Sequence, residues 1–86
     1  MYIVIVYDVN VDFVNRVNKF LKSYLHWQQN SVFEGRVTKS QYDEIKQGLK
    51  DLIDEETDSI IIYEIPYKYM NKNVLGVEKN QISFII

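Results

Sequence analysis

An apolar run opens the chain and constrains its fold more than any other feature. Residues 2–7 are all β-branched or aromatic, and a carboxylate, Asp8, follows them directly. Such a short, continuous run predicts a strand buried on both faces, because a half-exposed strand would alternate with polar residues. A second apolar run covers residues 59–65 and ends at Pro66, which stops a strand because it has no N–H to donate. We expect the two runs to lie side by side in one sheet.

Two segments between these runs have the apolar spacing of amphipathic helices. Asn10 or Asp12 is a suitable N-cap for the first helix. Its apolar face consists of Phe13, Val14, Val17, Phe20, Leu21, Tyr24 and Leu25. The second segment starts with a capping box, in which Thr38 is the N-cap and Gln41 reaches back. Its apolar face consists of Tyr42, Ile45, Leu49, Leu52 and Ile53. Gly48 falls on the opposite side of that helix, where it costs some stability.

The stretch between the two helices carries strand and turn signals. Residues 32–37 alternate between two unlike faces, as a strand does. Gly35 inside this pattern marks a bulge or a close backbone approach. Asn30 and Ser31 form a turn signal, so residues 26–37 are either a tight hairpin or one bent strand.

The remaining segments are a connector and a tail. Residues 54–58 are acidic, and we expect a solvated loop there, because the spaced ligands and the turn glycine of a calcium loop are missing. Residues 67–76 suggest a short edge strand or a turn. From about residue 80 to residue 86, apolar and polar residues alternate. We expect this strand to pair with the sheet of its own chain or of a partner, because an unpaired apolar strand edge would promote aggregation.

The order of elements is a βαββαβ pattern. Its two helices can cover one face of a four-stranded antiparallel sheet, so the predicted fold class is α+β. Because both apolar runs should be buried on two sides, the other face of the sheet must be covered as well. A second copy packing sheet to sheet would cover it and would form a two-fold homodimer.

Length and composition restrict the class of protein. Eighty-six residues make one domain, residues 1–86, with a modest core, and the absence of cysteine excludes disulfides and thiolate zinc sites. No apolar run has membrane-spanning length, and we expect a cytoplasmic protein. The net charge of −2 does not indicate a nucleic-acid binder, yet the polar face of the first helix carries Arg16, Lys19 and Lys22 and no acid. That face is either a solvated surface or a phosphate contact.

Asp8 can be interpreted in two ways. As a cap, it would begin the turn and hydrogen-bond the start of the next helix. As a ligand, it would hold a metal at the end of a buried strand, where the following loop leaves a side chain accessible. One carboxylate is a poor site for a divalent metal. The predicted dimer brings a second Asp8 to the axis, however, and two carboxylates with bound waters suit Mg²⁺.

Three motifs in this order resemble the CRISPR-associated protein 2 family. They are Ile-Val-Ile-Val-Tyr7-Asp8-Val, Gln29-Asn-Ser-Val-Phe-Glu-Gly35 and Asp58-Ser-Ile-Ile-Ile-Tyr63, and the tail Leu75-Gly-Val-Glu-Lys79 is similar to the family's ending. The resemblance covers essentially the whole chain. It implies a ferredoxin-like homodimer in the adaptation stage of CRISPR immunity. There such dimers bridge dimers of the integrase subunit, CRISPR-associated protein 1, and hold the DNA fragment to be inserted.

The resemblance also implies an activity and residue roles. Some family members are metal-dependent endonucleases on RNA or double-stranded DNA, and they use the aspartate that ends the first strand. That role falls on Asp8, with Mg²⁺ or Mn²⁺ as cofactor. The residues expected to support this site or lie near the dimer axis are Tyr7, Gln29, Ser31 and Phe33. Trp27 stands where several members carry a basic residue, and it could stack on a base.

Two functions from different classes follow. In the first, the Asp8 pair holds Mg²⁺ for phosphodiester hydrolysis. Further catalytic groups are scarce, since His26, the single histidine, is better interpreted as a surface or packing residue. In the second, a non-catalytic scaffold binds DNA backbone and the integrase subunit. The candidate phosphate contacts are Arg16, Lys19, Lys22, Arg36 and Lys39. A third interpretation is a toxin-like ribonuclease that acts alone.

Overall fold

The computed structural model describes residues 1–80. Its elements are β1 (Tyr2–Asp8), α1 (Val11–Lys22), β2 (His26–Gln29), β3 (Val32–Arg36), α2 (Lys39–Leu52) and β4 (Ser59–Ile65), followed by a 3₁₀ turn (Tyr67–Tyr69). The predicted docking strand at about residues 80–86 lies outside the described residues apart from Asn80, so it stays a prediction. Among residues 1–80, no helix is long and apolar enough to cross a membrane.

The four strands form one antiparallel sheet in the order β2-β3-β1-β4. The two apolar runs are neighbours, as predicted: β1 pairs with β4 from Tyr2 opposite Ile65 to Asp8 opposite Ser59. Side chains of α1 and α2 join those of the sheet in one core, whose fully buried members include Ile5, Phe33 and Ile45. The predicted α+β class, with two helices on one face of an antiparallel sheet, is confirmed.

The stretch between the helices is a hairpin, which decides between the two alternatives. Strands β2 and β3 pair antiparallel, with a register shift between Trp27 and Gln29. Asn30 makes the turn with a φ of 43°, a left-handed conformation that asparagine tolerates better than most residues. At Gly35, a Cβ atom would lie 3.1 Å from Cδ2 of Leu25. The close backbone approach predicted there is therefore confirmed.

The two faces of β1 differ in burial. Ile3, Ile5 and Tyr7 are buried beneath the helices, whereas Tyr2, Val4 and Val6 point to the other side and stay half-buried or exposed. Within a single chain, β1 is thus buried on one face and not on both, because the two helices cover only one side of the sheet. We call the side that the helices do not cover the open face. Apolar side chains on it include Val4, Val6, Ile61, Tyr63 and Ile65.

Gly48 corrects the helix prediction. It is half-buried and faces α1, where a Cβ atom would lie 2.6 Å from Cε1 and 2.9 Å from Cε2 of Phe20. The Phe20 ring is itself packed against Tyr24, with ring centroids 5.4 Å apart. The prediction that Gly48 lies on the solvent side was wrong. The glycine permits the two helices to approach each other.

We therefore expect Gly48→Ala to destabilise the fold, although alanine is the better helix former. Overpacking costs about 1–3 kcal/mol, whereas the gain in helix propensity is about 1 kcal/mol, so a net loss of up to about 2 kcal/mol is expected. Urea unfolding measures this loss. Gln47→Ala, at the exposed neighbouring position, is the control and should change the free energy of unfolding little. A stabilised Gly48→Ala protein would show that Phe20 moves aside without cost.

Candidate metal site and nucleic-acid interface

Asp8 lies at the end of β1 with its side chain exposed. In the sheet it is opposite Ser59 of β4, and on its other side the Tyr7 N–H donates to the Ser31 carbonyl at 3.1 Å. Since Tyr7 is buried under the helices, alternation along the strand directs Asp8 to the open face. Its carboxylate makes no hydrogen bond or ion pair with any residue from 1 to 80.

The capping alternative for Asp8 is excluded. The N-cap of α1 is Asn10, whose side-chain oxygen accepts a hydrogen bond from the Asp12 N–H at 2.9 Å. Thr38 caps α2, with both bonds of the predicted capping box present, at 3.1 Å and 2.9 Å. Asp8 is thus an exposed carboxylate that neither caps a helix nor pairs with a described cation.

The described residues do not form a metal site of several ligands around Asp8. Residues 1–80 contain no group of three or more His, Cys, Asp or Glu side chains that could hold a metal. One exposed carboxylate fits a hydrated divalent ion only if a second ligand comes from elsewhere. The position of Asp8 beside an uncovered apolar face is compatible with a second copy as that source.

Two of the predicted supporting residues lie in the core and two lie at or beside the β2–β3 turn. Tyr7 and Phe33 lie in the core, with stacked rings 6.2 Å apart. The Tyr7 hydroxyl donates to Oδ1 of Asn18 on α1, and burial raises the pKa of this phenol. Tyr7 and Phe33 can therefore support Asp8 only indirectly, by fixing β1 against the core. Ser31 is in the turn beside β1, and Gln29 is exposed next to it.

The basic residues of α1 form one exposed surface. Arg16, Lys19 and Lys22 recur every third residue and are all exposed, and none makes an ion pair with a described residue. Asp12, in the first turn, is the acid of this helix. We call Arg16, Lys19 and Lys22 the basic face of α1. Three free cations on one helix can contact a phosphate backbone without sequence preference.

The other two candidate cations lie elsewhere and have partners. Arg36 is opposite Tyr2 on the open face, and its guanidinium lies 3.9 Å from the centre of the Tyr67 ring. Lys39, at the start of α2, pairs with Asp43 at 2.9 Å. Neither residue is part of the basic face of α1.

Two residues of β2 have ordinary packing roles. The Trp27 indole donates to the Asn30 carbonyl at 3.0 Å, and its ring is partly buried against the core. It is therefore poorly placed to stack on a base. His26 is exposed and lies opposite Glu34 in the β2–β3 ladder.

The sequence interpretation missed a buried charged cluster on the open face. Glu34 is only 8% exposed; it accepts a hydrogen bond from the Tyr2 hydroxyl at 2.8 Å and pairs with Lys72 at 2.8 Å. Burial, followed by the bond to Glu34, raises the pKa of Tyr2. The polar position in an apolar strand was the available signal, but nothing in the sequence pointed to Lys72 as its partner.

Comparison with known proteins gives consistent results. Residues 1–73 match the family model of CRISPR associated protein Cas2. Curated relatives named CRISPR-associated endoribonuclease Cas2 include one from Methanocaldococcus jannaschii, 54% identical over all of this chain and 76% of the relative. Another, from Pyrococcus furiosus, is 55% identical over the full length of both.

Solved structures agree with the sequence relatives. A crystal structure of Cas2 that is 49% identical covers all of this chain, and 98% of its own chain is matched, with a TM-score of 0.83. Streptococcus pyogenes Cas2 at pH 6.5 is 35% identical, with a TM-score of 0.77 over 88% of this chain and all of its own. By sequence and by fold, the chain belongs to the CRISPR-associated protein Cas2 family.

Proposed function

We propose that the chain is an adaptation-stage CRISPR subunit that cleaves phosphodiester bonds of RNA or double-stranded DNA with a divalent metal held by Asp8. The observation that carries this proposal is the exposed Asp8 carboxylate, which has no partner among residues 1–80 and lies at the edge of an apolar open face. Curated relatives that are 54% and 55% identical to this chain are named endoribonucleases, which supports nuclease activity. The family membership supports a role in CRISPR immunity.

The open face supports a homodimer. Ile61 is 49% exposed, Tyr63 52% and Val6 37%, and all three lie on that face by register. A contiguous apolar sheet face of this kind is costly to leave in water. A second copy would cover it with the same surface, and a two-fold axis near the end of β1 would bring the two Asp8 carboxylates together.

Two Asp8 carboxylates would hold Mg²⁺ or Mn²⁺ together with bound waters. When bound, such a metal polarises a phosphoryl oxygen and lowers the pKa of a water that can attack phosphorus. The chain itself contributes the position of Asp8, which is fixed by pairing with Ser59 of β4 and by the bond of the neighbouring Tyr7 N–H to Ser31. It also contributes the cations of α1 that can hold the substrate's phosphates. Because residues 1–80 contain no group of three or more His, Cys, Asp or Glu side chains that could hold a metal, we expect slow cleavage.

The scaffold is the second candidate function, and the basic face of α1 favours it. Three exposed cations that have no partner in the described part of the chain suit a sequence-independent DNA contact. In this role the homodimer would hold DNA during spacer acquisition and bind the integrase subunit, CRISPR-associated protein 1. The two functions are compatible, since the proposed metal site and the basic face of α1 use different residues.

A metal site formed by the Asp8 carboxylates of two chains predicts one metal ion per dimer. We expect isothermal titration of the wild-type protein to give one Mn²⁺ per two chains and sedimentation to give a dimer. Ile61→Asp places a charge in the proposed interface, so it should give a folded monomer that binds Mn²⁺ at least about tenfold more weakly, because a carboxylate ligand has been lost from the site.

Val11→Asp is the matched control. Val11 is 81% exposed and belongs to α1, which packs on the other side of the sheet, and an acid is favourable in the first turn of a helix. This variant should remain dimeric and bind the metal normally. A wild-type monomer, or one metal bound per chain with full affinity in Ile61→Asp, would contradict the shared site.

A further inference from the structure

We propose that Asp58 is a positioning residue for the Asp8 site, an inference that rests on the proposed metal function. Asp58 immediately precedes β4, and its neighbour Ser59 lies opposite Asp8 in the sheet. It is therefore the acid that the fold brings to the end of β1 from another part of the chain. Its side chain is half-buried.

Both carboxylate oxygens of Asp58 are already used. Oδ1 accepts the Asn10 N–H at 2.8 Å, and Oδ2 accepts the Asp54 N–H at 2.9 Å. Hydrogen bonds from backbone N–H groups to an ionised carboxylate are among the stronger ones in proteins. Each oxygen of Asp58 thus already accepts one backbone N–H, and these two bonds fix the carboxylate against the backbone of both segments.

The partners of Asp58 explain what it does. Asn10 lies two residues after Asp8 and caps α1, so the bond to its N–H fixes the loop through which β1 enters the helix. The other bond ties Asp58 to the connector, which is closed on itself because the Asp58 N–H donates to the Asp54 carbonyl at 2.8 Å and the Glu56 N–H to Oδ1 of Asp54 at 3.0 Å.

The carboxylate therefore joins two loops at one end of the sheet, β1–α1 and α2–β4. The position of a metal ligand at the end of a strand depends on the conformation of the loop that follows it. Groups that hold a ligand's surroundings typically change metal affinity about tenfold to a hundredfold when removed. Asp58 would act on the metal in this indirect way, through the backbone of Asn10.

The test compares Asp58→Ala with Asp54→Ala in the metal-free and Mn²⁺-titrated protein. Asp58→Ala should speed amide exchange at Asn10 by about tenfold or more, because a hydrogen bond to a charged acceptor is lost. It should weaken Mn²⁺ binding by about tenfold to a hundredfold. Asp54→Ala disturbs the same connector but spares the Asn10 bond, so both quantities should stay near wild type. Asp58→Asn, which keeps one acceptor oxygen, should fall between.

The outcomes separate this inference from the proposed metal site. Unchanged Asn10 exchange in Asp58→Ala, or faster exchange with unchanged Mn²⁺ affinity, would overturn the positioning role. A wild-type protein that binds no Mn²⁺ would overturn the metal site instead, and the Asn10 exchange would still decide whether Asp58 holds the loop. If Asp58→Ala fails to fold, the comparison of Asp58→Asn with Asp54→Ala gives the same decision.

Discussion

Asp8→Asn should lower Mg²⁺-dependent cleavage of RNA and of duplex DNA by about two orders of magnitude or more. A bound metal contributes several kcal/mol of transition-state stabilisation, and each 1.36 kcal/mol is a factor of about ten in rate. Asparagine keeps the shape of the side chain and removes its charge. Because the Asp8 carboxylate makes no bond to residues 1–80, the free energy of unfolding should change little. Single-turnover cleavage and titration with Mn²⁺ measure the two effects.

Asp43→Asn is the control for a lost surface carboxylate. Asp43 is exposed on α2 and pairs only with Lys39 among the described residues, an ion pair worth little at the surface. The Asp43→Asn variant should cleave RNA and duplex DNA at the wild-type rate. Equal activity in Asp8→Asn and wild type would remove Asp8 from the reaction. Loss of cleavage with spacer acquisition intact would show that the nuclease and the scaffold are separable.

Much of the fold could be predicted from local patterns. The two apolar runs, the turn at Asn30 and the capping box at Thr38 are each signals within a few residues. The paired strands, the turn and the capping box were confirmed, whereas burial of the two strands on both faces was not. The choice between a hairpin and a bent strand could not be made from local patterns, because it depends on whether β2 pairs with another segment, β3. Gly48 was misjudged for the same reason: its role is set by Phe20 of the other helix.

The candidate site was predictable where it depends on one residue in its own strand. The place of Asp8 at the end of β1 follows from the apolar run. The choice between cap and ligand did not follow from the sequence; it was decided by the bond from the Asp12 N–H to the Asn10 side chain. The Asp58 bond to Asn10 and the Glu34 pair with Lys72 join segments far apart in the chain. An acidic connector predicts a solvated loop and does not indicate which backbone N–H one of its carboxylates will accept.

Charge reversal of the basic face of α1, with Glu replacing Arg16, Lys19 and Lys22, should largely remove DNA binding. If each cation binds one phosphate, the slope of log affinity against log salt should fall by about one unit for each cation replaced. At low salt the affinity should fall by at least about tenfold. The fold should persist, because all three side chains are exposed and lack partners among residues 1–80. Titration of labelled duplex DNA at several salt concentrations measures affinity and slope together.

The matched control reverses Lys46, Lys50 and Lys68, which changes the net charge by the same amount on other exposed surfaces. Phosphate binding by the basic face of α1 predicts a large effect in the first triple variant and a small one in the second. Equal effects would mean that overall charge governs binding and that no defined surface exists. An unchanged affinity in the first variant at low salt would defeat the scaffold function. Because Asp8 is intact in both variants, Mn²⁺ binding should be retained, which separates loss of the DNA surface from loss of the metal site.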